Sequence, residues 1–264
     1  MTDQVKLRRD KSVGTIVLDH PARLNALTPG MIGSIAQGLD DFQGEGRVRT
    51  VILTGTGSSF CSGTDLNTLS GKIPEDFIPE DDQDDVVDFQ ALLESMLRYP
   101  KPLIAAVTGW TVGTGLALML ACDMTIAAEN SRFWVAEPHR GLSPGLTAPL
   151  LIWRIGAARS AAMLYGTEPI DAARAFTFGL INEVQPEQLV WARASEIAAQ
   201  ISEGAAESHQ LTRKMMYETV AENVFTQLSI GAAHTATART TQTAHERIQK
   251  FLSRHADRQD DAAG

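Results

Sequence analysis

Four short runs of β-branched and apolar residues punctuate the first half of the chain, at 14–19 (GTIVLD), 50–54 (TVILT), 102–107 (PLIAAV) and 124–128 (MTIAA). Each is bounded by Gly, Pro, Asn or Asp, so each reads as a buried strand. Between them the apolar period changes. Residues 28–42 open with Thr28-Pro29, an N-cap and first-turn pair, and residues 86–97 carry apolar positions at helical spacing, which predicts two helices. Strand and helix alternate, and this predicts an α/β fold with parallel strands. From residue 157 onward the strand signals stop. Ala-rich helical patterns cover 187–201, 205–220 and 234–252, so the last third is expected to form a helical layer on the core or on a neighbouring subunit. No internal repeat of fixed period is visible.

Composition narrows the function classes. The 264 residues are 44% hydrophobic and 21% charged, enough apolar material to bury a core without disulfides or metals. The net charge of -9, with no basic cluster, argues against a nucleic-acid partner. The polar start (MTDQVKLRRDKS) does not resemble a signal peptide, and the longest apolar run, 116–121, is too short to span a bilayer, so no membrane partner and a cytoplasmic location are expected. Cys61 and Cys122 have no metal or redox spacing and read as small buried residues. The acidic stretch 74–88 (PEDFIPEDDQDDVVD), broken by two prolines, reads as a solvated surface loop, with a lid over a substrate as the functional alternative.

Two Gly-rich segments carry the candidate chemistry. Residues 54–66 (TGTGSSFCSGTDL) directly follow a predicted strand, and such a turn exposes backbone N–H groups that hold an anion or a developing oxyanion. It lacks both the Gly-Lys-Ser/Thr of a phosphate loop and the glycine spacing of a dinucleotide turn, and a plain connecting turn is the competing reading. In residues 107–123 (VTGWTVGTGLALMLACD), small residues follow a strand and open a strongly apolar helix. A helix starting at 113–115 points unpaired N–H groups and the positive end of its dipole outward, where a negatively charged oxygen is stabilised. Glycines placed only for close packing are the alternative.

These segments, with 20–27 (HPARLNAL), 101–107, 121–123, 133–145 and 179–184 (GLINEV), resemble in order the crotonase superfamily of enoyl-CoA hydratases and isomerases. The resemblance implies a spiral of ββα units over residues 1–195, a C-terminal helical trimerisation region over 196–264, and assembly as a homotrimer or dimer of trimers. It also implies an acyl-CoA substrate and no cofactor, coenzyme A being part of the substrate. The oxyanion hole falls on the backbone N–H groups of Thr64 and Thr114. The family usually has Gly where Thr114 stands, and a β-branched side chain there narrows the pocket. Pantetheine and adenine contacts map near Arg23, Leu24, Ser62 and Asp65. Segment 245–254 resembles the one that reaches the CoA site, often of an adjacent subunit, with Phe251 near the nucleotide and Arg254 near its phosphates.

The acid/base inventory follows from the same resemblance. Hydratases of the family set two glutamates across the substrate; here the first position is Ala117 and the second is Glu137. Adding water across a double bond is most easily run with two carboxylates, whereas moving a double bond needs one that removes a proton and returns it two carbons away. Isomerase-like chemistry on Glu137 is therefore expected. The alternatives are a non-catalytic acyl-CoA-binding homologue, suggested by Thr114 and Ala117, and a CoA-thioester hydrolase or lyase in which Glu137 activates water or a substrate hydroxyl. Trp110 and Trp134 are candidate walls of the acyl pocket. His139 reads as exposed and Arg140 as a further candidate near the site, while Asp123 is expected to fix the turn into the next strand.

Overall fold

The computed structural model describes residues 2–68 and 84–261, excepting the side chains of 84, 220 and 255–261. In chain order the strands are β1 (Val5–Asp10), β2 (Val13–Leu18), β3 (Thr50–Gly55), β4 (Ser59–Cys61), β5 (Leu103–Val107), β6 (Trp110–Val112), β7 (Met124–Ala128), β8 (Arg132–Trp134), β9 (Ile170–Asp171) and β10 (Glu183–Gln185). The helices are α1 (Pro29–Gly44), α2 (Asp84–Arg98), α3 (Thr114–Leu120), α4 (Thr147–Leu164), α5 (Ala172–Phe178), α6 (Val190–Ser202), α7 (Ala206–Lys214), α8 (Glu222–Arg239) and α9 (Gln242–Asp261).

All four predicted strands, β2, β3, β5 and β7, lie side by side and parallel in one sheet of order β1-β2-β3-β5-β7-β10. Their near-continuous apolar character has a direct cause. One face packs Leu53, Val51, Leu103 and Ala105 into the main core, and the other packs Ile52, Ile104, Ala106 and Ile126 under Val190, Ala194 and Ile197 of α6. A second, smaller sheet, β4-β6-β8-β9, runs beside it. The three strands β3, β5 and β7 are each followed by a short one in the second sheet and then by a helix: β3-β4-α2, β5-β6-α3, β7-β8-α4. This is the ββα spiral, although no sequence repeat announces it.

Several expectations are corrected. Strands do continue past residue 157, as β9 and β10, but they have two and three residues and are too short to show a period. The helix expected over 234–252 is two helices. α8 ends at Arg239, and the Thr241 hydroxyl accepts from Ala244 N at 3.2 Å to cap α9. The helix expected over 205–220 changes at Met215 into a π-helical turn, Met215–Val220. The expected boundary at residue 195 falls inside α6. Of the acidic stretch, 74–83 lies outside the described residues, and 84–88 form the start of α2 rather than a loop.

Asp123 ties these layers together. Its carboxylate accepts from Leu103 N at 2.7 Å, from the Tyr217 hydroxyl at 2.7 Å and from Arg213 Nε at 3.2 Å. Arg213 is 4% exposed, and its guanidinium also donates to the carbonyls of Met96 and Tyr99. The charge is thus buried with its hydrogen bonds satisfied, and it anchors the C-terminal helices to the strand turns.

Candidate active site

The two Gly-rich segments meet across the second sheet. Gly63 has φ 99°, and a Cβ on it would come within 3.0 Å of the Val112 carbonyl, so the loop after β4 lies hard against β6. Leu27 N donates to Gly63 O at 2.7 Å and Asp65 N donates to Leu27 O at 2.9 Å. The intervening Thr64 N–H therefore points the other way, where no described residue accepts it. Gly113, the N-cap of α3, has φ 54°, and a Cβ there would fall 3.2 Å from the carboxyl carbon of Glu137. A side chain there would crowd the carboxylate and strain the left-handed backbone, which suits glycine. Thr114 opens the helix, so its N–H has no acceptor one turn behind it. The hydroxyls of Thr64 and Thr114 are 3.1 Å apart and share a hydrogen bond.

Glu137 begins the 3-10 turn Glu137–Arg140 after β8. The Thr147 hydroxyl donates to its Oε1 at 3.0 Å and lies 3.2 Å from Gly113 O, sharing one proton between the two acceptors. Oε2 is sealed from solvent and has no hydrogen-bond partner among the described residues. Burial pushes the Glu137 carboxyl above the ordinary carboxylate range, against the smaller opposing effects of backbone N–H groups, the Thr147 hydroxyl and the Arg140 charge. A buried carboxylate with an idle oxygen is a competent proton acceptor.

Thr64, Thr114 and Glu137 line one cavity of about 50 Å³, room for a few water-sized groups. Its other walls carry apolar residues, including Leu27, Ile32, Phe89 and Leu142, together with the hydroxyl-bearing Ser143, Thr147 and Thr235 and the ion-paired Asp85 and Arg239. Two free N–H groups beside a proton acceptor can hold an enolate oxygen and move a carbon-bound proton. Sequence reasoning missed Thr147, Asp85 and Arg239. Asp85 lay within the acidic stretch and Arg239 within a predicted helical pattern, but no spacing marked either of them, or Thr147, as part of a site.

The expected binding residues also come together. Arg23 Nη2 pairs with Asp65 Oδ1 at 2.8 Å, Ser62 N donates to Leu24 O at 3.0 Å, and the Ser62 hydroxyl donates to Arg23 O at 3.3 Å. Leu24 is 43% exposed and holds a left-handed backbone, φ 51°, unusual for a branched residue. Phe251 packs with Leu66, Leu142 and Ile248 of its own chain, under the Arg140 guanidinium at 4.4 Å. Arg254 is exposed at the surface of α9.

The tryptophan expectation is corrected: neither lines the cavity, because Trp110 is 41% exposed and Trp134 stacks on His139 at 5.5 Å. Ala117 is fully buried in the core one turn beyond Thr114. His139 is exposed, with its Nε2 at 3.1 Å from Gly166 O. Cys61 and Cys122 are buried and free, and burial pushes both thiols up to about 12, as inert core residues require.

Known proteins share this architecture. A Thermus thermophilus protein described as an enoyl-CoA hydratase is 29% identical over 246 residues, 93% of this chain and 96% of its own. The 1,2-epoxyphenylacetyl-CoA isomerase of Escherichia coli K12 is 26% identical over 248 residues, 94% of each chain. An enoyl-CoA hydratase/isomerase crystal structure from Xanthobacter autotrophicus Py2 superposes with a TM-score of 0.89 at 25% identity, covering 100% of this chain and 99% of that one. The enoyl-CoA hydratase/isomerase family model matches residues 8–260, and with the ββα spiral this establishes that the chain belongs to that family, within the crotonase superfamily.

Proposed function

We propose that this enzyme moves a double bond within an acyl-CoA thioester by single-carboxylate chemistry. The thioester oxygen lies between the N–H groups of Thr64 and Thr114, and Glu137 takes a proton from carbon 2 of a 3-enoyl thioester. The electron pair delocalises into a dienolate whose oxygen the two N–H groups stabilise, and Glu137 returns the proton at carbon 4. The observation that carries this reading is the placement of Glu137 over Gly113, with one buried, unpartnered oxygen, in the same cavity as both donors. Among the described residues, the other carboxylate on the cavity wall, Asp85, is held by Arg239 at 2.8 Å, and Ala117 supplies none. Coenzyme A then lies along Arg23, Leu24, Ser62 and Asp65, with Phe251 and Arg254 toward its nucleotide, and the subunits form a homotrimer or dimer of trimers. The test offers 2-enoyl, 3-enoyl and 3-hydroxyacyl-CoA thioesters in deuterated water, with products read by mass spectrometry. Interconversion of the enoyl isomers, reduced by about two to four orders of magnitude in Glu137→Gln with thioester affinity within a few fold, is the expected result. Dominant 3-hydroxyacyl product, release of free CoA, or undiminished turnover in Glu137→Gln would each overturn it.

A further inference from the structure

The proposed chemistry uses the backbone N–H groups of Thr64 and Thr114 and leaves their side chains idle. The two residues reach the cavity on elements that are held by different neighbours. The Thr64 loop hangs on the segment before α1: Leu27 N donates to Gly63 O at 2.7 Å, Asp65 N to Leu27 O at 2.9 Å and Ser62 N to Leu24 O at 3.0 Å. The start of α3 is held instead by Gly113 N, which donates to Trp134 O at 3.0 Å after β8. Among the described residues, no backbone hydrogen bond joins 62–65 to 112–115. Across that gap there is one hydrogen bond, between the hydroxyls of Thr64 and Thr114 at 3.1 Å, and it uses neither N–H. Both residues are half-buried, so water can satisfy either hydroxyl when the bond breaks, and such a bond adds little to the stability of the fold.

We propose that this hydroxyl bridge is a positioning element that sets the separation of the two N–H donors. The inference rests on the thioester-enolate reading of the site. Two donors stabilise an enolate oxygen only while both point at the place where its charge develops, and small departures from that geometry are costly in rate. Loops held by separate neighbours shift separately unless something ties them. A threonine side chain is branched next to its own backbone and has few χ1 states, so a bond between two of them ties the backbones themselves. The bridge therefore acts as one unit, and losing either hydroxyl removes all of it.

The test uses the full-length protein with valine, which keeps the branched shape, and serine, which keeps the hydroxyl. Thr64→Val and Thr114→Val should each lower kcat for 3-enoyl-CoA isomerisation about tenfold, with thioester affinity within a few fold. The double variant Thr64→Val/Thr114→Val should lose no more than either single variant, because the first substitution already breaks the bridge. Serine at either position should restore most of the rate. A second readout is the infrared carbonyl stretch of bound butyryl-CoA, isotopically labelled at the thioester carbon. It should fall on binding to wild type and recover by the same part in all three valine variants. Losses that add in the double variant would make the hydroxyls separate groups and overturn the proposal. So would valine variants that match wild type in rate and band. If a valine variant does not fold, alanine in its place carries the same expectations. A lowered carbonyl stretch without isomerisation would refute the isomerase reading, and the spectra of the variants would then decide the bridge alone. Glu137-dependent isomerisation with additive or absent losses would keep that reading and sink the bridge.

Discussion

Glu137 owes its chemistry to its surroundings, since a glutamate beside proline and histidine reads equally well as a surface carboxylate. Burial raises its pKa, so the protonated form is favoured in the folded chain more than in the unfolded one. Its contribution to stability is therefore fully present below the ordinary carboxylate range and is lost as pH rises through the raised value. Thermal unfolding of wild type and Glu137→Gln across that window is expected to show this fall in wild type and not in the variant. The same shift places the acid limb of the rate profile above the ordinary carboxylate range, because the base works only when ionised. Thr147→Val removes the hydroxyl that holds Oε1 at 3.0 Å and so should move that limb to still higher pH, with Thr147→Ser restoring it. A rate loss with no movement of the limb would mean that Thr147 matters only for packing.

At the scale of elements, α3 is short and apolar beyond Thr114, and its first turn sets what the cavity can hold. Ala117 lies one turn beyond Thr114 on the same helical face and is fully buried. Ala117→Glu should introduce crotonyl-CoA hydration by bringing a second carboxylate toward Glu137, and it should lower the unfolding temperature because a carboxylate enters the core. A folded, thioester-binding variant without hydration would show that Thr114 or the local packing, not the missing carboxylate, limits that reaction. The C-terminal helices hang on Arg213 in α7 and Tyr217 in the π-helical turn. Arg213→Met should cost about 3–5 kcal/mol, since Asp123 and the carbonyls of Met96 and Tyr99 all lose a buried donor. Denaturant titration checks it, and a loss under about 1 kcal/mol would show the clasp to be idle.

For the molecule as a whole, α9 closes over the site from its own chain. Phe251 fills the space between Leu66, Leu142 and Arg140 and adjoins the Arg23–Asp65 pair through Leu66. Truncation before Phe251 should weaken CoA-thioester binding several-fold, with part of the loss salt-dependent because Arg254 goes with it. Calorimetry at two ionic strengths separates the two contributions. A larger groove of about 520 Å³ between α4 and α8 leaves Ile152 45% and Ile230 43% exposed, apolar surface of the kind that subunits cover. Sedimentation is expected to show a trimer or a dimer of trimers, and a stable monomer would overturn the proposed assembly.

The sequence by itself determined the four central strands, α1, α2 and the two glycine-rich turns, because continuous apolar runs, a Thr-Pro cap and glycine clusters are local signals that do not depend on neighbours. It also carried the family resemblance and, with it, Glu137, Thr64 and Thr114. The second sheet was illegible, since its strands have two or three residues and no period. The break between α8 and α9 is set by the cap at Thr241, inside a continuous helical pattern. Only the tertiary structure decided that Thr147 holds Glu137, that Asp85 meets Arg239 and that Arg213 meets Asp123. These pairs are 10, 154 and 90 residues apart, and which long-range partners meet is fixed by how the ββα units stack, not by any spacing along the chain.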